Sequence, residues 1–147
     1  MKIIIIISIL FFISVPVQSQ NFAWTTDNNA PTLNQQDILK VFGDIENGLT
    51  SGNVASFSKY FATETFLSLN SGIVGYYSSN QSYYVLQNFF NLNKPISFKY
   101  TNHVTGTNPY ATGILNYESK SRRETAQVFI SLDASGKNWK ISQITIK

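Results

Sequence analysis

Cysteine is absent from all 147 residues, and histidine occurs once, at His103. The first absence removes disulfides, thiolate metal ligands and any thiol nucleophile. It also removes a lipobox, so no lipid anchor of that type is expected. With a single histidine there is no multi-histidine zinc site and little from which to build a serine–histidine–acid relay. Charged residues make up only 13% of the chain and leave a formal charge of +3, too little to mark a nucleic-acid surface. No glycine loop of the phosphate-cradling or dinucleotide-binding type occurs. The residues therefore call for no metal and no cofactor. Stability has to come from an apolar core, which a chain of this length can supply.

What is present begins at the N-terminus. Lys2 precedes an apolar run through Ile13, Pro16 breaks it, and Val17 and Ser19 stand three and one before Gln20. This layout predicts a secretory signal over residues 1–19, cut after Ser19. The run is shorter than the roughly 20 residues of a spanning helix, so no stable membrane insertion is expected after cleavage. The expected product is soluble and periplasmic or extracellular. Residues 20–31 lack periodicity and read as a flexible tail, with Phe22 and Trp24 its only aromatics. Residues 32–147 then form one domain.

Within that domain a first helix is predicted from Thr32, with Gln35 completing a capping box. Its apolar stripe is Ile38, Leu39, Phe42, Ile45 and Leu49, and Gly52 closes it. Asn53 is placed to cap a second, short helix through Val54, Phe57, Tyr60 and Phe61. Thr63–Leu69 and Gly72–Tyr77 read as strands. Ser79 or Asn80 caps a third helix with the apolar face Tyr83, Val85, Leu86, Phe89 and Phe90, and Pro95 ends the helical region. Four strands follow, one from Ile96 to Val104, then Tyr110–Glu118, Glu124–Leu132 and Trp139–Ile146. In the last, the apolar phase switches from Trp139 and Ile141 to Ile144 and Ile146, which predicts a bulge near Ser142–Gln143. Helices grouped ahead of a run of strands give an α+β fold.

This order of elements resembles the nuclear transport factor 2-like, or cystatin-like, superfamily. More narrowly, Ser51-Gly52-Asn53-Val54-Ala55, Asn88-Phe89-Phe90, Tyr110-Ala111-Thr112-Gly113 and Trp139-Lys140-Ile141 are similar to an uncharacterised family of small exported bacterial proteins. The resemblance implies a cone, order α-α-β-(β)-α-β-β-β-β, in which a curved antiparallel sheet wraps three helices and its open end holds a pocket. It implies no activity, since the fold carries enzymes, binders and assembly modules. Ketosteroid isomerase-like relatives set a carboxylate against a tyrosine and a protonated acid, and scytalone dehydratase-like relatives use histidines with acids. Here the first helix has no tyrosine, and Glu118, Glu124 and Asp133 all fall near strand ends, so neither pattern transfers a catalytic residue.

Candidate residues follow from position. Glu46 sits about 50° from the centre of the helical stripe and lines the expected mouth, where burial would raise its pKa toward acid–base duty. Glu64 is a second carboxylate of this kind. A pocket is expected from Phe42, Glu46, Tyr76, Tyr83, Phe90, Phe98, Tyr100 and Trp139, apolar walls with hydroxyl tips. Asp37, Lys40 and Asp44 read as a solvated ion-pair face. His103 lies on the solvent phase of its strand, and Lys120, Arg122 and Arg123 occupy a hairpin turn. Asn80-Gln81-Ser82 is a glycosylation sequon.

Three functional readings remain open at this point. The first is a non-catalytic exported domain that binds a small apolar ligand or a protein partner through its cone or sheet face. The second is a small cofactor-free isomerase or hydrolase with Glu46 or Glu64 as base. The third is a structural module that makes a homodimer.

Overall fold

The computed structural model describes residues 34–147. The expected signal, the tail with Phe22 and Trp24, and the start at Thr32 lie outside the described residues. Helix α1, Gln35–Ser51, is capped by Asn34, whose side chain accepts the Gln36 N–H at 2.9 Å, not through a box begun at Thr32. Ile38, Val41, Phe42, Ile45 and Leu49 turn inward, and Leu39 lies to the side of this stripe, 44% exposed. The helix stops at Gly52, whose φ of 71° is open to glycine at little cost and lets its N–H reach Gly48 O.

The expected second helix is two separate 3-10 turns, Val54–Ser56 and Ser58–Tyr60, broken at Phe57 (φ −122°, ψ 1°). Asn53 makes no side-chain cap here. Ser56 Oγ donates to Asn53 O and Ser58 Oγ to Ala55 O, competing for the carbonyls on which a continuous helix depends. Val54 and Phe57 are fully buried, so tertiary packing holds the segment. Among the described residues there are thus two α-helices, not three.

Strand β1, Phe61–Leu69, pairs with β2, Val74–Ser78, and leads into helix α2, Ser79–Leu92. Ser78 is the cap, one or two residues before the expected Ser79 or Asn80, and Gln81 completes a reciprocal box with it. Strand β3 follows at once over Asn93–Val104, so Pro95 lies inside it, beside a register shift. Strands β4, Tyr110–Ser119, β5, Arg122–Ser135, and β6, Asn138–Ile146, complete a six-stranded sheet of order β2-β1-β6-β5-β4-β3.

All neighbours are antiparallel except β1 and β6, which run parallel and make the sheet mixed. The reason is topological: the β3–β6 meander ends beside β1 and pointing the same way, closing the middle of the sheet. Ser131 pairs with Gln143 and Leu132 with Ile141, so Ser142 is the extra residue of the expected bulge. It carries the inward phase from Trp139 and Ile141 to Ile144 and Ile146. Further register shifts in β3 add bends that curve the sheet. Its inner face, including Leu115, Val128, Ile130 and Leu132, forms one core with the inward sides of α1 and α2. Gly113 belongs to that packing: a Cβ there would stand 2.6 Å from the Phe98 ring, which lies across β4.

Candidate functional site

The residues expected to line a pocket are distributed over the core and two different surfaces. Phe42, Phe90, Phe98 and Trp139 are buried members of the hydrophobic core. Tyr100 packs edge-on to Phe98 (4.9 Å) and Phe42 (5.8 Å), and its hydroxyl donates to Phe42 O at 3.0 Å. Burial, and after it the Glu46 carboxylate, pushes this phenol far above the usual tyrosine range. A hydroxyl so held stays neutral and serves the fold. Tyr83 is half-buried on α2, edge-on to Tyr84. Trp139 Nε1 is a buried donor with no partner among the described residues.

The two candidate carboxylates do not converge. Glu46 is half-buried on α1. Glu64 is exposed on β1 and lines an outer depression of about 470 Å³ with Phe66, Tyr76, Asp133, Ser142 and Gln143. Tyr76 stacks edge-on against Phe66 there, 72% exposed and apart from Phe42 and Tyr100. An acid–base pair needs two titratable groups within hydrogen-bond reach, and this pair lacks that geometry. His103 is exposed on β3. Among the described residues no cluster of three or more histidine, aspartate or glutamate side chains could hold a metal ion, and no helix is long and apolar enough to cross a membrane.

One carboxylate is organised in a way the spacing did not reveal. Asp44 Oδ2 accepts from Tyr60 Oη at 2.6 Å and pairs with Lys59 Nζ at 3.2 Å and Lys40 Nζ at 3.4 Å. The tyrosine hydrogen bond first, then the two ammonium groups, hold Asp44 below its ordinary pKa. A carboxylate satisfied in this manner is a poor base. The cluster instead locks α1 to the second 3-10 turn, which Lys140 Nζ also braces through Lys59 O at 2.7 Å. The Lys40–Asp44 pair was readable from i,i+4 spacing, whereas Tyr60 and Lys59 reach it only through the tertiary fold.

The outer face of the sheet is an organised surface to which the sequence alone assigned no residues. A shallow cleft of about 580 Å³ crosses β3, β4, β5 and β6, lined by Thr101, Thr112, Ile114, Gln127, Phe129, Thr145 and Lys147, with the edges of Gly113 and Val128. Ile114 and Phe129 are only half-buried, and Tyr110 stacks on Phe129 at 5.8 Å and 25°. A one-sided antiparallel sheet ordinarily alternates apolar in and polar out. Here the outward phase carries an aromatic pair and an isoleucine among threonines and glutamines. That signal was present in the strand alternation, since Tyr110, Ile114 and Phe129 all occupy the solvent phase.

The family model described as a domain of unknown function, DUF4783, matches residues 42–147. Among curated proteins none matches the chain. Solved structures share its fold. A DUF4783 family protein from Bacteroides uniformis is 17% identical with a TM-score of 0.66, the match covering 71% of this chain and 94% of that one. Another from Bacteroides ovatus is 19% identical with a TM-score of 0.63, covering 70% and 90%. An NTF-2-like protein of unknown function from Shewanella oneidensis is 11% identical with a TM-score of 0.56, covering 76% and 96%. These likenesses show an α+β, nuclear transport factor 2-like fold. With most of its length under the one family model, the chain belongs to the DUF4783 family.

Proposed function

We propose that the protein is an exported, non-catalytic binding domain that docks a protein surface through the outer face of its sheet, a second copy of this chain being the occupant to test first. One observation carries the reading: the cleft around Ile114 and Phe129 combines half-exposed apolar side chains with neutral threonine and glutamine. Such composition suits the centre of an interface, where charge is depleted and aromatics are enriched. A symmetric copy brings the same patch, with Lys147 its one charged side chain, to meet itself, which is the requirement of a two-fold contact. The burial of Phe42, Phe90, Phe98 and Trp139 in one core argues against a small apolar ligand inside the cone, and the placement of Glu46 on α1 and Glu64 on β1 against the isomerase or hydrolase reading.

Native mass spectrometry and light scattering on the wild type and on a Phe129→Lys, Ile114→Lys double variant test this. The expected result is a wild-type dimer and a variant monomer, with unchanged circular dichroism. A wild type that stays monomeric at high concentration, or a dimer indifferent to both lysines, overturns the self-docking reading.

A further inference from the structure

A groove at the other side of the domain, independent of the outer sheet face, has the features of a ligand site. It runs between the C-terminal end of α2, the β1–β2 turn and the β4–β5 turn. Two depressions, of about 720 and about 200 Å³, adjoin one another, with Ser71, Leu92 and Asn93 lining both. The smaller end is apolar, walled by Ile73, Val85, Phe89 and Leu92. Leu92 is 76% exposed, a leucine left for solvent where the two depressions adjoin. Of the α2 carbonyls at this end, Phe89 O is already taken by Asn93 N–H and, at 2.9 Å, by Asn93 Nδ2.

The wider end is polar and cationic. Lys120 and Arg122 line it with Glu124, leaving one net positive charge, and neither cation is in an ion pair among the described residues. Tyr117 is 5% exposed, and its Oη accepts from Asn70 Nδ2 at 2.7 Å, which leaves the phenolic proton to point at another acceptor. The turn that presents Lys120 is strained. Lys120 and Ser121 both adopt positive φ, 49° and 62°, where a two-residue hairpin ordinarily uses Asn-Gly. Residues held in this region without glycine cluster where function demands them.

We propose that this groove binds a linear aliphatic carboxylate. The chain lies along Ile73, Val85 and Leu92, and the carboxylate meets Lys120, Arg122 and the Tyr117 hydroxyl. A single negative charge matches the single net positive charge of the rim, and the apolar end supplies burial that a simple anion would not use.

Isothermal titration of the purified protein with decanoate below its micelle concentration, against decanol and decyltrimethylammonium, tests the assignment. Decanoate is expected to bind at least tenfold more tightly than either. A Lys120→Glu, Arg122→Glu chain is expected to lose at least tenfold of that affinity, while Arg123→Glu, one residue on and outside the groove lining, keeps it. Lys120→Gly relaxes the turn, so it should unfold at higher urea yet bind decanoate more weakly, a combination that loss of folding cannot imitate. Absence of decanoate binding, equal binding of decanol, or full affinity in the double variant or in Lys120→Gly overturns the proposal.

Discussion

Two glycines of α1 are expected to respond in opposite directions to the same substitution. Gly43 has nothing within 4 Å of where a Cβ would stand. Gly43→Ala therefore recovers the ordinary helix-interior advantage of alanine, about 0.8–1 kcal/mol. At Gly48 an added Cβ would stand 2.7 Å from Phe57 Cε1 and 2.5 Å from Ser56 Oγ, and overlap Phe57 Cδ1. Phe57 has no exposed surface and packs edge-on to Phe61 at 5.8 Å, so its ring cannot swing away into solvent. Overpacking of this kind costs typically about 1–3 kcal/mol, and displacing a buried phenylalanine forfeits part of the roughly 1.5–3 kcal/mol of its burial. Set against the helical gain of about 1 kcal/mol, Gly48→Ala should destabilise by about 2 kcal/mol. Urea unfolding followed by far-ultraviolet circular dichroism measures both. A Gly48→Ala, Phe57→Leu chain should lose less than the sum of its single changes, because the smaller side chain relieves the clash. A Gly48→Ala protein as stable as the wild type would refute the close approach of α1 and the 3-10 segment, and a destabilised Gly43→Ala would refute the propensity argument.

Further outcomes concern the organised hydroxyls. Tyr60→Phe should let the Asp44 pKa climb back toward its ordinary value, as followed by carboxyl chemical shift against pH, because it removes the largest favourable contact. Since folding lowers the Asp44 pKa, its stabilisation is present above the unfolded aspartate value and is lost as pH falls through the folded one. Unfolding midpoints of wild type and Tyr60→Phe should accordingly converge in acid, and a constant gap would contradict the assignment. Tyr100→Phe should cost about 1 kcal/mol through the lost hydrogen bond to Phe42 O, measured by urea unfolding. In a spectrophotometric alkaline titration of the wild type, Tyr100 should resist ionisation until the chain unfolds, and Tyr100→Phe should reduce the amplitude of that late step.

Periodicity and punctuation were enough for most of the elements. The α1 stripe of Ile38, Phe42, Ile45 and Leu49, the stop at Gly52 and the phase switch around Ser142 are local patterns that the structure retains. The second helix misled because its apolar spacing is helical while its serines compete for carbonyls, and because Val54 and Phe57 are placed by burial. The residues expected to line a pocket are scattered for a related reason. Phe42, Phe90, Phe98 and Trp139 are apolar at core-facing positions whether or not a cavity lies between them, and one-dimensional spacing carries no information on how far rings from opposite elements interpenetrate.

The sequence by itself determined the helix and strand grouping, the absence of thiol and multi-histidine chemistry, and which side of each strand would be apolar, since these depend on residue type and on contacts between near neighbours. Only the tertiary structure decided that β1 meets β6 in parallel, that Asp44 finds Tyr60 and Lys59, and that Leu92 stands in one groove with Lys120 and Arg122. Those relations join residues far apart in the chain, and they follow from how a curved sheet closes over its core.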